Sequence, residues 1–403
     1  MKALILCAGS STRTHPLTIT RPKPMLKVAN KMILEHTLEN LSGLIDEAVI
    51  VVGFKKEMII SCFGSKYKNI KLTYVEQKEQ LGTGHAIMSA KDSISDRFIV
   101  IPGDDLISKK DLINVLENEY GWLLKEVENP SLFGIVSTQN GKAASVEEKP
   151  KNPKSNLAST GCFIADKRLI EMMQKLPKSQ RGEYEITDAL NFYIKERDMV
   201  CVTVSDYWLP ISYPWDILAA NEFLLNRIER SDFIGETEEG VTVNGKVILG
   251  KGSIILAGSY LEGNIIIGEN CRVGPNAYIR GNTSIGNNCR VGPAEVKNCV
   301  FFDNVRCDHV SYVGDSVLGD GAHLGAHTVI ANLRHDKSTI RSEVKGELVD
   351  TKRKKLGAII GDNANIGINT SIYPGRKIWP RCYTAPAEIV KKDVVSNDDK
   401  KKD

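Results

Sequence analysis

The segment IIIGENCRVGPNAYIRGNTSIGNNCRVG, residues 265–292, repeats an aliphatic residue followed by glycine at intervals of six positions. The pair occurs at Ile267-Gly268, Val273-Gly274, Ile285-Gly286 and Val291-Gly292, and later at Leu318-Gly319, Leu324-Gly325, Ile360-Gly361 and Ile366-Gly367. In hexapeptide repeats the aliphatic side chain points inward and glycine lets the backbone turn a corner. The period therefore predicts a left-handed parallel β-helix over residues 244–393.

The sequence before the repeat has a different pattern. Short apolar runs, including Ala3 to Ala8, Ala48 to Gly53 and Phe98 to Pro102, alternate with helical patterns such as Ile33 to Leu44. This alternation indicates an α/β domain with a doubly wound, mostly parallel sheet. Because ligands of such sheets bind beyond the carboxyl ends of the strands, the loops that follow the first and third of these runs are the first candidates for a site.

The change of pattern predicts the domain organisation. We expect a first domain at residues 1–230, a linker at 231–243, the β-helix at 244–393 and a charged tail at 394–403. Between Ala331 and Gly357 the six-residue period lapses and the sequence is strongly charged. We expect this segment to be a loop extruded from one coil.

Composition excludes several classes of protein. The 403 residues carry 53 Lys and Arg against 50 Asp and Glu, and the net charge of +3 is too small to indicate binding to nucleic acid or a membrane surface. No apolar stretch is long enough to span a bilayer, and the first one resembles a buried strand rather than a signal peptide. The nine cysteines form no C-x-x-C pair, which favours a reducing cytoplasm over a disulfide framework or a zinc site.

The first apolar run leads into a small-residue turn, Ala8-Gly9-Ser10-Ser11, followed by Arg13 and Lys23. Backbone N–H groups of such a turn can approach phosphate oxygens, and the two cations can neutralise charge that develops during phosphoryl transfer. The alternative is an ordinary βα turn with surface cations. The full signature, which includes Pro16-Leu17-Thr18 and Pro22-Lys23-Pro24-Met25, resembles that of the sugar-1-phosphate nucleotidyltransferases.

This resemblance implies catalytic roles for Arg13 and Lys23 and contacts from Ala8 and Gly9 to the nucleotide. Ser11 departs from the family pattern, which has glycine at this position. The stretch from Glu76 to Ala86 resembles the pyrimidine-reading segment of uridylyl- and thymidylyltransferases. The residues that the resemblance assigns to the base are Gln77, Gln80, Gly82 and Thr83; the alternative is a polar turn between a strand and a helix.

Two carboxylates are candidate metal ligands. Asp104 follows the buried run Phe98 to Pro102 and matches the Gly-Asp pair of the family, so we expect it to bind Mg²⁺ that bridges substrate phosphates. A turn-forming role is the alternative. Family members carry a second ligand where this sequence has Pro210, and Asp216 is the nearest substitute, either as a ligand or as the cap of the helix that follows.

Later motifs match the family's sugar-phosphate pocket in order. The resemblance assigns sugar hydroxyls to Glu148 and the sugar phosphate to Lys149, and opposite charges suit a polyol joined to an anion. The other residues assigned to this pocket are Gly134, Thr160 and Gly161. Taken singly, each charged residue could equally be a solvated surface residue.

The repeat also carries residues that suggest chemistry. The segment Cys307 to Asp315 resembles the acetyltransferase half of the bacterial enzyme that acetylates glucosamine 1-phosphate and uridylates the product. The acetyl transfer that this resemblance implies needs a base that titrates near neutral pH, and His309 is the candidate. By this resemblance, the residues that contact the sugar phosphate, the sugar and the thioester are Arg280, Lys297, Tyr312 and Asn332.

The whole chain resembles the archaeal bifunctional sugar-1-phosphate nucleotidyltransferase/acetyltransferases. The resemblance implies UTP or dTTP, acetyl-CoA and sugar 1-phosphates as substrates, Mg²⁺ as cofactor, and a homotrimer or a multiple of it. Two alternatives remain at this stage. The β-helix could be purely structural beneath a nucleotidyltransferase, or the chain could be a non-catalytic scaffold like the subunits of the eukaryotic translation-initiation exchange factor that share this architecture.

Overall fold

The computed structural model describes residues 1–94, 96–179 and 181–397. The chain forms two compact units. The first comprises Met1–Ser10, Pro22–Met25 and Ile33–Pro210, and the second comprises Ser11–Arg21, Leu26–Met32 and the residues from Ile211 onward. The loop that follows the first strand is therefore divided between the two units.

A ten-stranded sheet forms the centre of the first unit. Its strands, from one edge to the other, are Gly134–Gln139, Lys142–Glu148, Val200–Thr203, Gly121–Glu126, Leu157–Ala165, Phe98–Pro102, Lys2–Cys7, Glu47–Val52, Ile70–Glu76 and Lys66–Tyr67. Lys2–Cys7 pairs in parallel with Phe98–Pro102 on one side and with Glu47–Val52 on the other. Antiparallel pairs occur toward both edges. The mostly parallel centre agrees with the sequence prediction.

The helices of this unit cover the sheet with apolar faces. They are Ile33–Leu41, Lys56–Phe63, Thr83–Ser89, Lys109–Leu116, Lys167–Met173 and Ile186–Tyr193. A two-stranded sheet joins Asp105–Ile107 to Trp208–Pro210, and a short 3₁₀ turn spans Lys23–Met25. One core lies between Phe98, Trp122, Phe163 and Tyr193, all of which are buried. The buried central strands read as continuous apolar runs because both faces are covered.

In the second unit the chain adds one strand in turn to each of three stacks of parallel strands. The first stack contains Asp232–Phe233, Thr283–Ile285, Val300–Phe301, Val317–Leu318, Ile359–Ile360 and Lys377–Ile378. The second contains Glu236–Thr237, Ile254–Ile255, Arg272–Val273, Arg290–Val291, Arg306–Cys307, His323–Leu324 and Asn365–Ile366. The third contains Tyr278–Arg280, Glu295–Lys297, Tyr312–Gly314, Val329–Ile330, Ser371–Ile372 and Ile389–Val390. The longer strands Thr242–Leu249 and Tyr260–Ile267 run through the first and third stacks.

Register explains the six-residue period. Arg272 pairs with Arg290, and Arg290 pairs with Arg306, so one circuit takes 16 to 18 residues, or about three hexapeptides. The aliphatic residues of the repeat fill one continuous interior, which includes Ile267, Val273, Ile285 and Val291. Stacking of coils thus buries a core that no single coil could bury. We call residues 232–397 the repeat region.

Two segments differ from the sequence prediction. The expected linker, 231–243, holds the short strands Asp232–Phe233 and Glu236–Thr237, which pair with Ile248-Leu249 and Ile254-Ile255 and so begin two of the stacks. The expected extruded loop is an antiparallel hairpin of Arg341–Val344 and Glu347–Asp350. The chain leaves the third stack after Ile330 to form this hairpin. It then returns to the first stack at Ile359, which pairs with Val317.

The helix Asp216–Leu225 belongs to the second unit and packs against the strands Lys27–Val28 and Thr283–Ile285. None of the helices in the described ranges has the length and apolar character needed to cross a bilayer. Of the predicted charged tail, residues 398–403 lie outside the described residues.

Candidate active sites

Lys23 and Asp104 form an ion pair at the carboxyl end of the central strands. Lys23 Nζ lies 2.8 Å from Asp104 Oδ2. The lysine side chain is 8% exposed and the aspartate side chain 39%, so the carboxylate faces solvent while the cation is held beneath it. This places two of the sequence-predicted residues together. Hard oxygen ligands and a fixed cation are the groups that phosphoryl transfer requires.

Gly103 fixes Asp104 against the first strand. Its N–H donates to the Leu6 carbonyl at 2.9 Å, and a Cβ added at this position would lie 2.3 Å from Cys7 Sγ. Burial, with a smaller contribution from the Asp104 charge, raises the pKa of the Cys7 thiol well above its usual value. Cys7 is therefore a neutral packing residue. The next carboxylate, Asp105, accepts a hydrogen bond from the Trp208 indole at 2.9 Å, which is a structural contact.

The predicted base-reading residues surround one loop. Gln80 Nε2 donates to the Ala8 carbonyl at 3.1 Å, and Gln77 Nε2 lies 3.1 Å from both the Gly82 carbonyl and His85 Nδ1. These bonds bring Ala8 of the first loop to the second loop. Gly82 has φ +90°, and its Cβ would lie 2.9 Å from Glu183 Cβ, so this turn requires glycine. Thr83 begins the following helix and is exposed, as is Gly9.

The predicted sugar-phosphate residues lie at the end of an antiparallel hairpin. Gly134 pairs with Glu148, and a Cβ on Gly134 would lie 3.2 Å from Glu148 Oε2. Glu148 Oε1 is 3.4 Å from Lys149 Nζ and 3.8 Å from Arg181 Nη2. Arg181 also bonds Glu185. Sequence reasoning missed Arg181, since only the fold brings it to Glu148.

Thr160 and Gly161 have local structural roles in addition to the predicted contact. The Thr160 hydroxyl donates to the Leu123 carbonyl at 2.9 Å and is buried. Gly161 has φ +76°, and a Cβ there would lie 3.1 Å from Pro102 Cγ. The Thr160 hydroxyl is thus bonded to the backbone, and the assignment of Thr160 to the sugar-phosphate pocket stays a prediction. Gly161 leaves space beside the strand that precedes Asp104.

Arg13 belongs to the second unit. It lies in the 3₁₀ turn Thr12–Thr14, and its guanidinium carbon is 5.9 Å from the centre of the Tyr213 ring. Ser11 precedes this turn with φ 50° and ψ 49°. Its carbonyl accepts hydrogen bonds from the Thr14 and Thr18 hydroxyls at 2.7 and 2.8 Å. The left-handed conformation explains why glycine suits the position of Ser11.

Asp216 accepts hydrogen bonds from the loop that precedes its helix. Its Oδ2 accepts hydrogen bonds from the backbone N–H groups of Ser212 and Tyr213 at 2.8 and 2.7 Å. The sequence left open a ligand role and a local role at the helix start, and these bonds support the local role. The predicted metal role of Asp216 stays a prediction, because these bonds involve only one of its two carboxylate oxygens.

A second set of predicted residues meets on the third stack of the repeat region. Strand register places Arg280 beside Lys297, and Glu295 beside Tyr312. Arg280 bonds Glu295 through Nε and Nη2 at 2.8 and 2.6 Å. Asn332, one coil further, donates to Asp315 Oδ2 at 2.6 Å. The parallel stacking therefore gathers residues that are far apart in sequence.

Asp315 and Lys355 complete this cluster and were not predicted. Asp315 is 3% exposed, and its Oδ2 lies 3.6 Å from Lys297 Nζ. Burial lowers the pKa of Lys297; the neighbouring Lys355 and Arg280 add to this effect, and Asp315 opposes it. Three cations, Arg280, Lys297 and Lys355, stand against two carboxylates, Glu295 and Asp315, and this excess of positive charge can attract an anion such as a phosphate.

His309 lies in the turn that precedes this cluster and is exposed. It follows the strand Arg306–Cys307 and precedes Tyr312–Gly314. An exposed imidazole can accept a proton from a bound amine. The described residues contain no group of three or more His, Cys, Asp or Glu side chains that could hold a metal ion.

Comparisons with known proteins match two parts of the chain to two families. Residues 2–227 match the nucleotidyl transferase family, and residues 261–356 match the family described as the GMPPB C-terminal domain. The chain is 41% identical to the bifunctional protein GlmU of Methanocaldococcus jannaschii over 98% of this chain and 96% of that protein. It is 36% identical to the bifunctional sugar-1-phosphate nucleotidylyltransferase/acetyltransferase of Sulfurisphaera tokodaii, covering 98% of each.

A solved structure resembles the first half. A putative glucose-1-phosphate thymidylyltransferase from Bacillus anthracis, in complex with a sucrose, superposes with a TM-score of 0.52 at 29% identity. The match covers 58% of this chain and 98% of that structure.

Proposed function

The chain belongs to the bifunctional sugar-1-phosphate nucleotidylyltransferase/acetyltransferase family, and we propose that it makes a nucleotide-activated N-acetylhexosamine in two steps. The repeat region acetylates an amino-sugar 1-phosphate with acetyl-CoA. The N-terminal half then joins a nucleotide from UTP or dTTP to the acetylated sugar 1-phosphate. The two rival interpretations, a structural repeat region and a non-catalytic scaffold, lose support because full-length relatives carry names that state two enzymatic activities.

The Lys23–Asp104 pair carries the proposal for nucleotidyl transfer. A phosphate oxygen of the sugar 1-phosphate attacks the α-phosphorus of the nucleoside triphosphate, and the bond to the β-phosphate breaks to release pyrophosphate. Lys23 and Arg13 neutralise the charge that develops on the phosphate oxygens. Ala8 and Gly9 offer backbone N–H groups to the triphosphate, and Gln77, Gln80, Gly82 and Thr83 contact the base.

Asp104 fits a magnesium site. Magnesium is usually held by one or two carboxylates together with substrate phosphates, and Asp104 presents one partly exposed carboxylate beside a buried lysine. The cation supplies charge neutralisation between phosphate groups when bound. Glu148 and Lys149 bind the sugar hydroxyls and the sugar phosphate, with Gly134 and Gly161 leaving room for the ring.

The juxtaposed Arg280 and Lys297 carry the proposal for acetyl transfer. They hold the phosphate of glucosamine or galactosamine 1-phosphate, while Tyr312 and Asn332 contact the sugar and the thioester. His309 accepts a proton from the sugar amine as its nitrogen attacks the thioester carbonyl. The carbon–sulfur bond then breaks, and coenzyme A leaves as a thiol after taking up a proton.

We further propose that the repeat region is a left-handed β-helix that assembles three subunits. Exposed aliphatic side chains lie on successive coils from the one that carries His309 onward, namely Val310, Val329, Ile368 and Ile389. Exposed aliphatic patches of this kind are typical of protein interfaces. A cytoplasmic location, a domain boundary near residue 230, and the absence of nucleic-acid and membrane partners complete the proposal.

Substrate-resolved assays test the proposal. Pyrophosphate release is measured with UTP and dTTP against N-acetylglucosamine 1-phosphate and glucose 1-phosphate, and thiol release from acetyl-CoA is measured with both amino-sugar phosphates.

Lys297→Met is expected to raise KM for the amino-sugar phosphate about 10- to 100-fold, because a charge-assisted hydrogen bond contributes about 1.5–3 kcal/mol. Pyrophosphate release by this variant should be unchanged. Absence of thiol release from the wild type with both amino sugars would reject the acetyltransferase proposal.

A further inference from the structure

Four residues of the repeat region form a ladder at equivalent corners of successive coils: Asn287, Asp303, Asp320 and Asp362. The Oδ1 atom of each accepts a hydrogen bond from a backbone N–H of the preceding coil. The donors are Glu269, Asn287, Asp303 and Asp320, at 2.8, 2.7, 2.9 and 2.9 Å. Because Asn287 forms the same bond as the aspartates, this backbone role needs no negative charge. We call Asp303, Asp320 and Asp362 the aspartate ladder.

Carboxylate oxygens of the ladder also bind two cations of the N-terminal loop. Arg21 Nη2 lies 2.7 Å from Asp320 Oδ2 and 2.5 Å from Asp362 Oδ2. Lys27 Nζ lies 2.6 Å from both oxygens of Asp303. All these residues belong to the second compact unit.

Both cations and one of the carboxylates are buried. Arg21 and Lys27 are each 7% exposed and Asp362 is 4% exposed, whereas the side chains of Asp303 and Asp320 are 24% and 33% exposed. The Thr20 hydroxyl adds a hydrogen bond to Asp362 Oδ2 at 2.6 Å, and the Phe302 ring centre lies 5.3 Å from the Arg21 guanidinium carbon. Stacked like charges repel, and a buried charge without a partner is strongly destabilising, so the ladder and the loop cations require each other.

The ladder cations stand on either side of a proposed catalytic residue. Lys23 follows Arg21 by two positions and precedes Lys27 by four. We propose that the aspartate ladder is a positioning device for nucleotidyl transfer: Asp320 and Asp362 hold Arg21, Asp303 holds Lys27, and together they fix both ends of the segment that carries Lys23. This inference rests on the proposed nucleotidyltransferase function. It makes the repeat region necessary for a reaction that does not take place in it.

Asp362→Asn tests the ladder in the full-length chain. It keeps an Oδ1 acceptor for the Asp320 N–H, as Asn287 does in the native ladder, and removes the charge that pairs with Arg21 together with the Oδ2 acceptor for the Thr20 hydroxyl. We expect kcat/KM for the nucleoside triphosphate to fall about 10- to 100-fold, since a displaced catalytic group costs up to about 100-fold. KM for the sugar 1-phosphate and acetyl-CoA-dependent thiol release should stay within about two-fold of the wild type, because neither depends on Lys23.

Arg21→Gln and the double variant give a second readout. If Arg21 and Asp362 act as a pair, pyrophosphate release by the double variant should be no lower than that of the more impaired single variant. If the two residues act independently, the fold-reductions of the two single variants should multiply. Asp198→Asn is the matched control, because it makes the same change at the exposed Lys142–Asp198 pair. It should alter neither activity. Should Asp362→Asn fail to fold, Asp303→Asn releases only Lys27 and is expected to give the same selective loss.

Two results would overturn the inference. Folded ladder variants with unchanged pyrophosphate release would show that the charges do not position Lys23, and a parallel fall of thiol release would show a purely structural role. A wild-type chain that releases no pyrophosphate refutes the proposed function and the role of the ladder together. An active wild type with unaffected variants refutes the role of the ladder alone.

Discussion

At the scale of single residues, the turn after the first strand depends on the backbone of Ser11. Its left-handed conformation points the carbonyl toward the Thr14 and Thr18 hydroxyls, and no side-chain atom of Ser11 takes part in those bonds. Non-glycine residues in this conformation carry a cost of about 1–2 kcal/mol. The serine is therefore tolerated rather than required.

Substitutions at Ser11 should follow this conformational cost. Ser11→Gly should leave the melting temperature and pyrophosphate release close to the wild-type values, because relief of strain is offset by about 0.4–1 kcal/mol of extra chain entropy in the unfolded state. Ser11→Val should lower both, since a β-branched residue strongly disfavours this region. Scanning calorimetry and the pyrophosphate assay measure the outcome. Equal behaviour of the Gly and Val variants would contradict the role of the backbone.

Lys377 is a buried lysine whose pKa is shifted. Burial lowers its pKa to about 8, an effect that Asp393 and Glu343 partly oppose and Arg376 reinforces. Its Nζ lies 5.8 Å from the centre of the Trp215 ring and donates to the Glu343 carbonyl of the hairpin. In the unfolded chain the same lysine titrates near 10.4. The folded state therefore binds fewer protons than the unfolded state between these two values.

This difference predicts a pH dependence of stability. Between about pH 8 and pH 10.4 the unfolded state binds more protons, so the free energy of unfolding of the wild type rises with pH relative to Lys377→Met, by up to about 3 kcal/mol in total. Below about pH 8 the difference should be constant. Urea unfolding of both proteins at pH 7, 8, 9 and 10 measures it. Lys391→Met, a change at an exposed lysine, is the control, and a flat difference for Lys377→Met would contradict the assignment.

At the scale of elements, the sequence pattern predicts strands well where burial is complete. The runs from Ala3 and from Phe98 became the paired strands Lys2–Cys7 and Phe98–Pro102, and the six-residue period became the stacked coils. Segment 231–243 was not predicted as part of the stacks. Its strands are only two residues long and exposed, so no apolar period marks them.

The candidate sites were predictable where motifs are local. Lys23 and Asp104 come from separate short motifs, and the sheet brings both to one edge. Arg181, Asp315 and Lys355 were not predicted, because each reaches its site through a segment whose position depends on tertiary pairing. Lys355 follows the hairpin that interrupts the period, and only the return of the chain to the first stack brings it near Lys297. The aspartate ladder was missed because its members lie far apart in sequence.

Gly103 links the first strand to the Asp104 loop and supports a prediction at this scale. Gly103→Ala would place a methyl group 2.3 Å from Cys7 Sγ and 2.9 Å from the Leu6 carbonyl oxygen, so the loop must shift. We expect pyrophosphate release to fall about 100-fold through displacement of Asp104. Thiol release by the same protein serves as the control and should be retained. Unchanged pyrophosphate release would show that the loop has more freedom than this contact implies.

At the scale of the whole molecule, the exposed aliphatic stripe predicts assembly. Val310, Val329, Ile368 and Ile389 are 53%, 45%, 50% and 56% exposed in the isolated chain. Val329 and Ile389 lie on one stack, both in register with Ser371. The proposed trimer would cover this stripe and bring neighbouring repeat regions beside His309.

Light scattering should give a mass of three chains of 44.5 kDa, or a multiple of three. Ile389→Asp should reduce this mass, because a charge at a buried interface without a partner is strongly unfavourable. We expect thiol release to fall in this variant and pyrophosphate release to persist. Ile60→Asp, a change at an exposed aliphatic residue of the first unit, is the control. A monomeric wild type with full thiol release would contradict the shared interface.

The central claim is that one chain holds two independent reaction sites, and a paired assay of Asp104→Asn and His309→Ala tests it most directly. Both pyrophosphate release and acetyl-CoA-dependent thiol release are measured on the same preparations of each variant and of the wild type. We predict that Asp104→Asn loses pyrophosphate release and keeps thiol release, and that His309→Ala does the reverse. Loss of both reactions in either variant, or absence of thiol release from the wild type, would contradict the claim.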